Sequence, residues 1–462
     1  PMEFVSILND VLGPVMRGPS SSHTAGSWHI ARLVRDLLGG EPVAAELVFD
    51  PDGSYAATYR QQGVDLAFAA GLLGWELTDG RFARALALAP AEGLDIRFRV
   101  APLAGADHPN TVRGRLTAKD GRRLAFTAKS VGGGMVVVTE LDGRQVHLDG
   151  KSAAAVRTGG AARAARPLFF VRRGDPLFLS ATEMVRLAAK RRVSLGRLAL
   201  AYESALLGLP EAEVVAEIGR RFDIMTDAVR RGLSGRGLAM KLLEPSAGKV
   251  LRAEARGRLA AGGLPTRAAA RAMAALHVAA SGGVVCAAPT GGSAGVLPGV
   301  LVTLAEERRL SRQRTSLALL AAGAVGLTVA RRATFAAEVA GCQVEIGAAG
   351  AMGAAAVVEA AGGTAAQACD AAAISLQNTM GSVCDLVQGL CEIPCHTRNA
   401  LAASSAFVCA DLVLGGYRNP VPLDETVDAS FNSGRMLPAE LRCTAKGGLA
   451  VAPSARGLRR RR

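Results

Sequence analysis

At 462 residues the chain exceeds what one hydrophobic core usually organises, so two domains are expected. Apolar residues make up 50% of it, which excludes a disordered chain. The formal charge of +14 does not identify a nucleic-acid binder: Arg456 and Arg459–Arg462 crowd the last seven residues, about +9 remains without them, and the other arginines lack aromatic interleaving or a nucleic-acid module.

The start, Pro1-Met2-Glu3-Phe4, has neither a basic n-region nor an apolar h-region, so no secretory leader is expected. Residues 25–38 read as an amphipathic helix with Ile30, Leu33, Val34, Leu37 and Leu38 on one side and Ser22 or Thr24 as cap. Glu46 to Phe49 reads as a strand ended by the turn Asp50-Pro51-Asp52-Gly53, and a helix follows over roughly Asp65 to Leu73. Alternating runs at 95–100, 111–118, 123–129, 134–140 and 145–148 predict strands, joined as hairpins by Lys119-Asp120-Gly121 and Asp142-Gly143. Residues 1–157 are therefore expected to form an α+β domain, an antiparallel sheet with helices on one face.

Residues 158–180 look like a linker, with Gly159-Gly160, Pro167 and Pro176. From 181 to 462 the period is helical and predicts an all-α domain. Alanine and glycine abound and aromatics are few, so close-packed helices are expected. The apolar run Leu317 to Ala330 is closed by Arg331-Arg332. It is shorter than the ~18–20 residues that span a bilayer, so it predicts a core helix of a cytoplasmic protein without a membrane partner.

Three loops carry candidate chemistry. Gly18-Pro19-Ser20-Ser21-Ser22-His23-Thr24 enters the first helix. Hydroxyls, backbone N–H groups and a helix N-terminus suit a carboxylate, and His23 can carry a proton near neutral pH. A polar cap beside an idle histidine is the plainer alternative. Ala288-Pro289-Thr290-Gly291-Gly292-Ser293-Ala294-Gly295 repeats the arrangement before another helix, and a glycine turn for close packing would look the same. Asp107-His108-Pro109-Asn110-Thr111 puts His108 and Asn110 at the head of a strand.

The eight cysteines stand at 286, 342, 369, 384, 391, 395, 409 and 443. Confinement to one half of a long chain argues against a disulfide framework and for a metal or redox site. The spacing matches neither the ferredoxin run nor paired zinc-ribbon units. From spacing alone, packing cysteines and ligands remain equally open.

Gly18 to Gly26 resembles the signature loop of bacterial iron–sulfur L-serine dehydratases. So do His108-Pro109-Asn110-Thr111-Val112 and Ser130-Val131-Gly132-Gly133-Gly134. The second half is similar to the family's α portion through Ala288 to Gly295, Gly341-Cys342-Gln343, Glu345-Ile346-Gly347, Ile393-Pro394-Cys395, Arg398-Asn399-Ala400 and Gly447-Gly448-Leu449-Ala450. The segments run in the family's order along nearly the whole chain.

The resemblance implies a β-like portion fused to an α-like portion. It implies a 4Fe–4S cluster on Cys342, Cys384 and Cys395, without pyridoxal phosphate. The implied reaction is β-elimination from L-serine to pyruvate and ammonia. His23 and His108 would move protons. Ser20, Ser21, Ser22, Thr24, Asn110, Thr290, Gly291, Ser293, Arg398 and Asn399 would hold the small amino-acid substrate. A homodimer is expected.

The chain departs from the family at Arg60-Gln61-Gln62-Gly63-Val64-Asp65, where Gln62 stands at a catalytic histidine's place, and at Leu386, Cys391 and Cys443. A glutamine is no base. A specialised paralogue acting on another β-substituted amino acid therefore stays open, as do a non-catalytic amino-acid binder and, more weakly, a zinc protein. Cys391 and Cys443 are candidates to lie within reach of the cluster, whereas Cys286, Cys369 and Cys409 are expected to fill the core.

Overall fold

The structure, a computed structural model, describes residues 4–461. It divides into two units: Pro19–Arg172, and the segment ending at Gly18 together with Arg173 onward. The short strand β1 (Val15–Arg17) belongs to the second of these.

The first unit opens with α1 (Gly26–Leu38), then β2 (Pro42–Phe49), α2 (Ser54–Thr58), α3 (Val64–Leu72), α4 (Ala85–Leu88), β3 (Asp95–Val100), β4 (Thr111–Ala118), β5 (Arg123–Gly132), β6 (Met135–Leu141) and β7 (Arg144–Leu148). The six strands form one sheet in the order β3-β2-β4-β5-β6-β7. It is antiparallel except at its edge, where β3 runs parallel to β2. The parallel pair follows from the connection: α2 to α4 lie between the two strands and supply the crossover that parallel pairing needs.

A helix of 13 residues such as α1 is marginal alone. Here Ile30, Leu33, Val34, Leu37 and Leu38 are each at most 1% exposed against Leu47, Leu116, Phe126 and Val138 of the sheet, each worth roughly 1.5–3 kcal/mol. Gly39, at φ 74°, ends the helix in the left-handed conformation. Gly114 is required by packing, because a Cβ there would stand 2.3 Å from the Phe126 ring.

Strands β8 (Ala154–Thr158) and β9 (Ala161–Ala165) form a separate hairpin. The buried Arg163 guanidinium locks it to the sheet through Asp142 at 2.6 Å and the Arg123 carbonyl at 2.8 Å.

The second unit is helical. Its first helices are α5 (Ala181–Arg191), α6 (Leu195–Leu207), α7 (Glu211–Ser234), α8 (Ala247–Ala255) and α9 (Gly263–Ala280). Strand β10 (Val284–Cys286) pairs antiparallel with β1. Then come α10 (Val296–Glu307), α11 (Arg312–Arg332), α12 (Ala337–Ala340), α13 (Ile346–Ala360), α14 (Ala365–Gln377), α15 (Cys395–Leu414), α16 (Leu423–Arg435) and α17 (Pro453–Arg456).

Small residues set the spacing in this unit. A Cβ on Gly347 would lie 2.5 Å from Thr379 Oγ1 and one on Gly350 2.9 Å from Ser375 Oγ, so α13 rides close against α14 and the turn after it. Helix α11 is apolar and long enough to cross a membrane by length and composition, and 78% of its apolar window is buried inside the fold. Its Gly326 accepts Val11 at a distance that a Cβ would shorten to 2.1 Å. Cys286, Cys369 and Cys409 are buried, and burial pushes the Cys286 and Cys409 thiols up to about 11.

Candidate active site

In the sheet unit the serine loop does not run straight into α1. Residues Ser21–Ala25 form one wide π-type turn, capped by Ser20, whose Oγ accepts from the His23 N–H at 3.2 Å. The cap is thus Ser20 rather than Ser22 or Thr24, because the wider turn shifts the helix start to Gly26. A side chain at 26 would press within 2.2 Å of Ser130 Oγ, so glycine is needed there.

The loop turns its polar groups inward. His23 is 0% exposed. Its Nδ1 lies 3.0 Å from Ser22 Oγ and 3.3 Å from Ser20 Oγ, and its Nε2 lies 3.1 Å from Ser54 Oγ. The Tyr55 ring meets the imidazole edge-on at 5.3 Å, and the Tyr55 hydroxyl donates to the Ser22 carbonyl. Burial, then the His108 charge, lowers His23 to about 3. His108 is lowered to about 4 by burial and by Lys129. Both rings are neutral at pH 7.

Asn110 is fully buried, and its N–H donates to His108 Nδ1 at 3.1 Å. Thr24 Oγ1 donates to the Gln62 carbonyl at 2.8 Å, so residue 62 sits against the serine loop, buried. Ser21 is buried as well. Sequence reasoning passed over Ser54 and Tyr55. The turn before α2 carried no signal that it would return to His23.

In the helical unit the second loop is a closed hydroxyl pair. Thr290 Oγ1 and Ser293 Oγ are 2.9 Å apart, each hydroxyl accepts the other residue's N–H, and Thr290 Oγ1 donates to Glu345 Oε1 at 2.5 Å. Gly291 lies inside this turn, its carbonyl accepting from Ala294 N. Gly292 is needed because a Cβ there would be 2.5 Å from Glu345 Oε1. Asn399 is fully buried and spends its amide on structure: Nδ2 donates to the Gly292 and Cys395 carbonyls at 2.9 Å, and Oδ1 accepts from Gly295 N.

The thiols converge. Cys342 and Cys384, 42 positions apart, lie with a Glu345 carboxylate oxygen so that all three ligand atoms are within 4.8 Å of one another. The Cys384 thiol also touches that of Cys443, and the Cys395 thiol touches that of Cys391 and feels Cys342 and Glu345. Backbone pairing pins the first contact: Cys443 N donates to the Cys384 carbonyl and Cys384 N to the Leu441 carbonyl, both at 2.8 Å.

Hydrogen bonding to neighbouring thiols, then burial, raises Cys384 and Cys395 well above the usual thiol range. Buried thiolates so crowded repel one another, and a bound cation is what reverses that preference. The donor set therefore fits a soft metal centre. Arg398 stands beside it, 2.8 Å from the buried Asp385 carboxylate and 3.9 Å from Cys342 Sγ, and donates to the Val383 carbonyl at 2.7 Å. Sequence reasoning overlooked Glu345 as a donor and Asp385 as the partner of Arg398. Glu345 lay inside a quoted motif, three residues after Cys342, and Asp385 directly follows Cys384.

The helical unit thus carries a buried thiol set that could bind a metal, and the sheet unit a hydroxyl-lined loop around a buried histidine, the furnishings of an enzyme. Residues 144–450 match the family described as serine dehydratase alpha chain, and the chain belongs to the serine dehydratase family, whose members are lyases. It is similar to the L-serine dehydratase TdcG of Escherichia coli (strain K12), 30% identical over 94% of this chain and 96% of that protein. It is also similar to the probable L-serine dehydratase alpha chain of Bacillus subtilis (strain 168), 36% identical over 62% of this chain and 95% of that one. The probable beta chain of the same organism is 42% identical over 32% of this chain and 66% of that one.

Proposed function

We propose that this chain deaminates L-serine to pyruvate and ammonia, using a 4Fe–4S cluster held by Cys342, Cys384 and Cys395. The observation that carries the reading is the meeting of remote thiols with Glu345 in a chain of this family. Such a cluster, with three protein ligands, supplies a Lewis-acidic iron.

The chain's own groups do the rest. The hydroxyls of Ser20, Ser21 and Ser22, with Thr24 and Asn110, take the substrate carboxylate, and Thr290, Gly291, Ser293, Arg398 and Asn399 shape the second loop. His23 is neutral and can accept a proton, though burial makes it a weak base. A substrate carboxylate bound beside it would raise its basicity, since an opposite charge favours the imidazolium. His108 is the second proton carrier. Gln62 puts a non-basic amide where the family has a histidine and so bears on which substrate fits. Residues 1–157 and 181–462 take the β-like and α-like parts of the fused enzyme, which works as a cytoplasmic homodimer.

The test is anaerobic reconstitution with iron and sulfide, followed by pyruvate and ammonia assays on L-serine. Charge-transfer absorption and turnover are expected. A reconstituted cluster with turnover only of another β-substituted amino acid would replace L-serine by that substrate. Absence of any cluster would overturn the reading.

A further inference from the structure

The helices of the sheet unit do not fully cover its edge strand. Ile96 and Phe98 of β3 pack against the core together with Tyr59, yet all three stay only half-buried. A groove of about 710 Å³ lies there, walled by Val43, Tyr59, Leu86, Ile96 and Phe98. Its size is that of a small-molecule site.

Three charged side chains also line the groove: Arg60, Asp65 and Asp95. Asp95 is spent on an exposed pair with Arg97 at 2.7 Å. The other two are not spent on ion pairs. Asp65 is 8% exposed and accepts backbone N–H groups, from Leu66 at 2.8 Å and from its own residue. The Arg60 guanidinium lies over the Tyr59 ring, 5.3 Å from its centroid. Arg60 acts on Asp65 through space, but among the described residues no ion pair joins them. A carboxylate that burial makes costly, in an apolar cavity without a cation, is a group that a ligand's charge satisfies.

We propose that this groove is a second ligand site, for a zwitterionic α-amino acid with an apolar side chain. The ligand ammonium donates to Asp65, its carboxylate meets Arg60, and its side chain lies on Tyr59, Ile96 and Phe98. An amine or a carboxylic acid alone would satisfy one charge of the two, and a polar side chain would leave the apolar wall wet.

The same turn reaches the serine loop. Between Arg60 and Asp65, the Gln62 carbonyl accepts from Thr24 Oγ1 at 2.8 Å, and Val64 N closes the turn on the Tyr59 carbonyl at 2.8 Å. A ligand that fixes Arg60 and Asp65 therefore also fixes the residue on which Thr24 leans, and occupancy changes how L-serine binds. That coupling rests on the catalytic reading of the serine loop, whereas the site itself does not.

The test has two arms on the full chain. In the first, calorimetry follows the binding of L-leucine and L-phenylalanine before reconstitution, and saturable binding is expected. L-alanine should bind at least about tenfold more weakly, because it buries fewer CH₂ groups. 3-Methylbutylamine and 4-methylpentanoate each keep one charge of L-leucine and should both bind more weakly than it does. These comparisons use the wild-type chain and do not depend on how variants fold. Asp65→Asn should weaken L-leucine about tenfold to a hundredfold, and Arg60→Gln about threefold, since that charge is exposed. No saturable binding of either probe would overturn the proposal, as would 4-methylpentanoate binding as tightly as L-leucine. Binding undiminished by Asp65→Asn would put the probe elsewhere and overturn it too.

In the second arm, saturating L-leucine is added to the reconstituted protein. A shift of about fivefold in KM for L-serine is expected, at the low end of couplings between sites, and it should vanish in Asp65→Asn. An unchanged KM with binding intact would overturn the coupling alone. Protein that binds L-leucine but turns over no β-substituted amino acid would overturn the catalytic reading and leave the site standing.

Discussion

The two units bury polar groups by opposite means. In the helical unit, carboxylates reach segments far away in sequence. Glu203 accepts from Ser6 Oγ at 2.5 Å, Ile7 N at 2.8 Å and Leu8 N at 2.9 Å. Asp424 accepts from Ala181 N, Thr182 N and Thr182 Oγ1 at 2.8–3.0 Å. Glu392 holds 241–243 in the same way. In the sheet unit the serine loop is held without carboxylates, by contacts among Ser20, Ser22 and His23 and by Ser54, Tyr55 and the Gln62 carbonyl.

The difference follows from side-chain size. Helices of alanine and glycine pack closely but offer little shape to fix one against another, so directional bonds from distant carboxylates set their register. A sheet with large apolar residues already has its register fixed by strand pairing.

The sharpest break concerns the thiols, of which Cys342 and Cys384 meet from 42 positions apart. Cys384→Ser should abolish cluster binding and lower L-serine turnover by at least about a hundredfold. Iron analysis and the pyruvate assay check it, and full iron content in the variant would remove Cys384 from the ligand set. Next comes the serine loop. His23→Asn keeps a polar side chain in the serine loop and removes the proton carrier, so kcat should fall about a hundredfold or more with iron content unchanged. A variant that loses only affinity would make His23 a binding group.

How much could be read beforehand follows the same divide. Strands β3 to β7 and helix α1 were legible, because period-2 and period-3.6 patterns of large apolar residues mark them directly. The β8–β9 hairpin was not. Its alanines and arginines have weak strand preference, and the informative signal was Gly159-Gly160, both at positive φ, a two-residue hairpin turn.

In the helical unit the helices were legible, but the short strand pair β1–β10 was not, since three residues from distant places carry no period. Gathering of the cysteines in one half pointed to the metal site. Which thiols meet was implied only by resemblance, and the contacts of Cys443 and Cys391 were open. Glu345 and Ser54 escaped because a single polar residue gives no pattern.

A smaller effect tests the long-range carboxylates. Glu203→Ala leaves a hydroxyl and two N–H groups without their acceptor in a site 0% exposed. Unfolding in urea should show a loss of about 3 kcal/mol, and Glu203→Gln, which keeps one acceptor, should lose less. Equal stability of both variants and wild type would mean that apolar packing alone fixes this register.

The smallest expected effect comes from the exception in the sheet unit. Asp65 is 8% exposed, and its carboxylate accepts the Leu66 N–H at 2.8 Å and its own backbone N–H. Burial raises it from 3.8 to about 6, against the opposing pull of Arg60. A folded-state value above the unfolded one means that the folded protein binds the proton more tightly. The protonated acid therefore favours the fold fully below pH 3.8, and that contribution is lost as pH rises towards 6. Above that, the buried carboxylate costs about 3 kcal/mol relative to acid.

Asp65→Asn retains an acceptor for Leu66 and cannot ionise. It should melt with wild type near pH 4 and above it by a few degrees at pH 8, in thermal unfolding followed across that range. Coincident curves at both ends would show that Asp65 is held by its surroundings as firmly as Glu203 and Asp424 are, and the contrast between the units would then shrink to the serine loop.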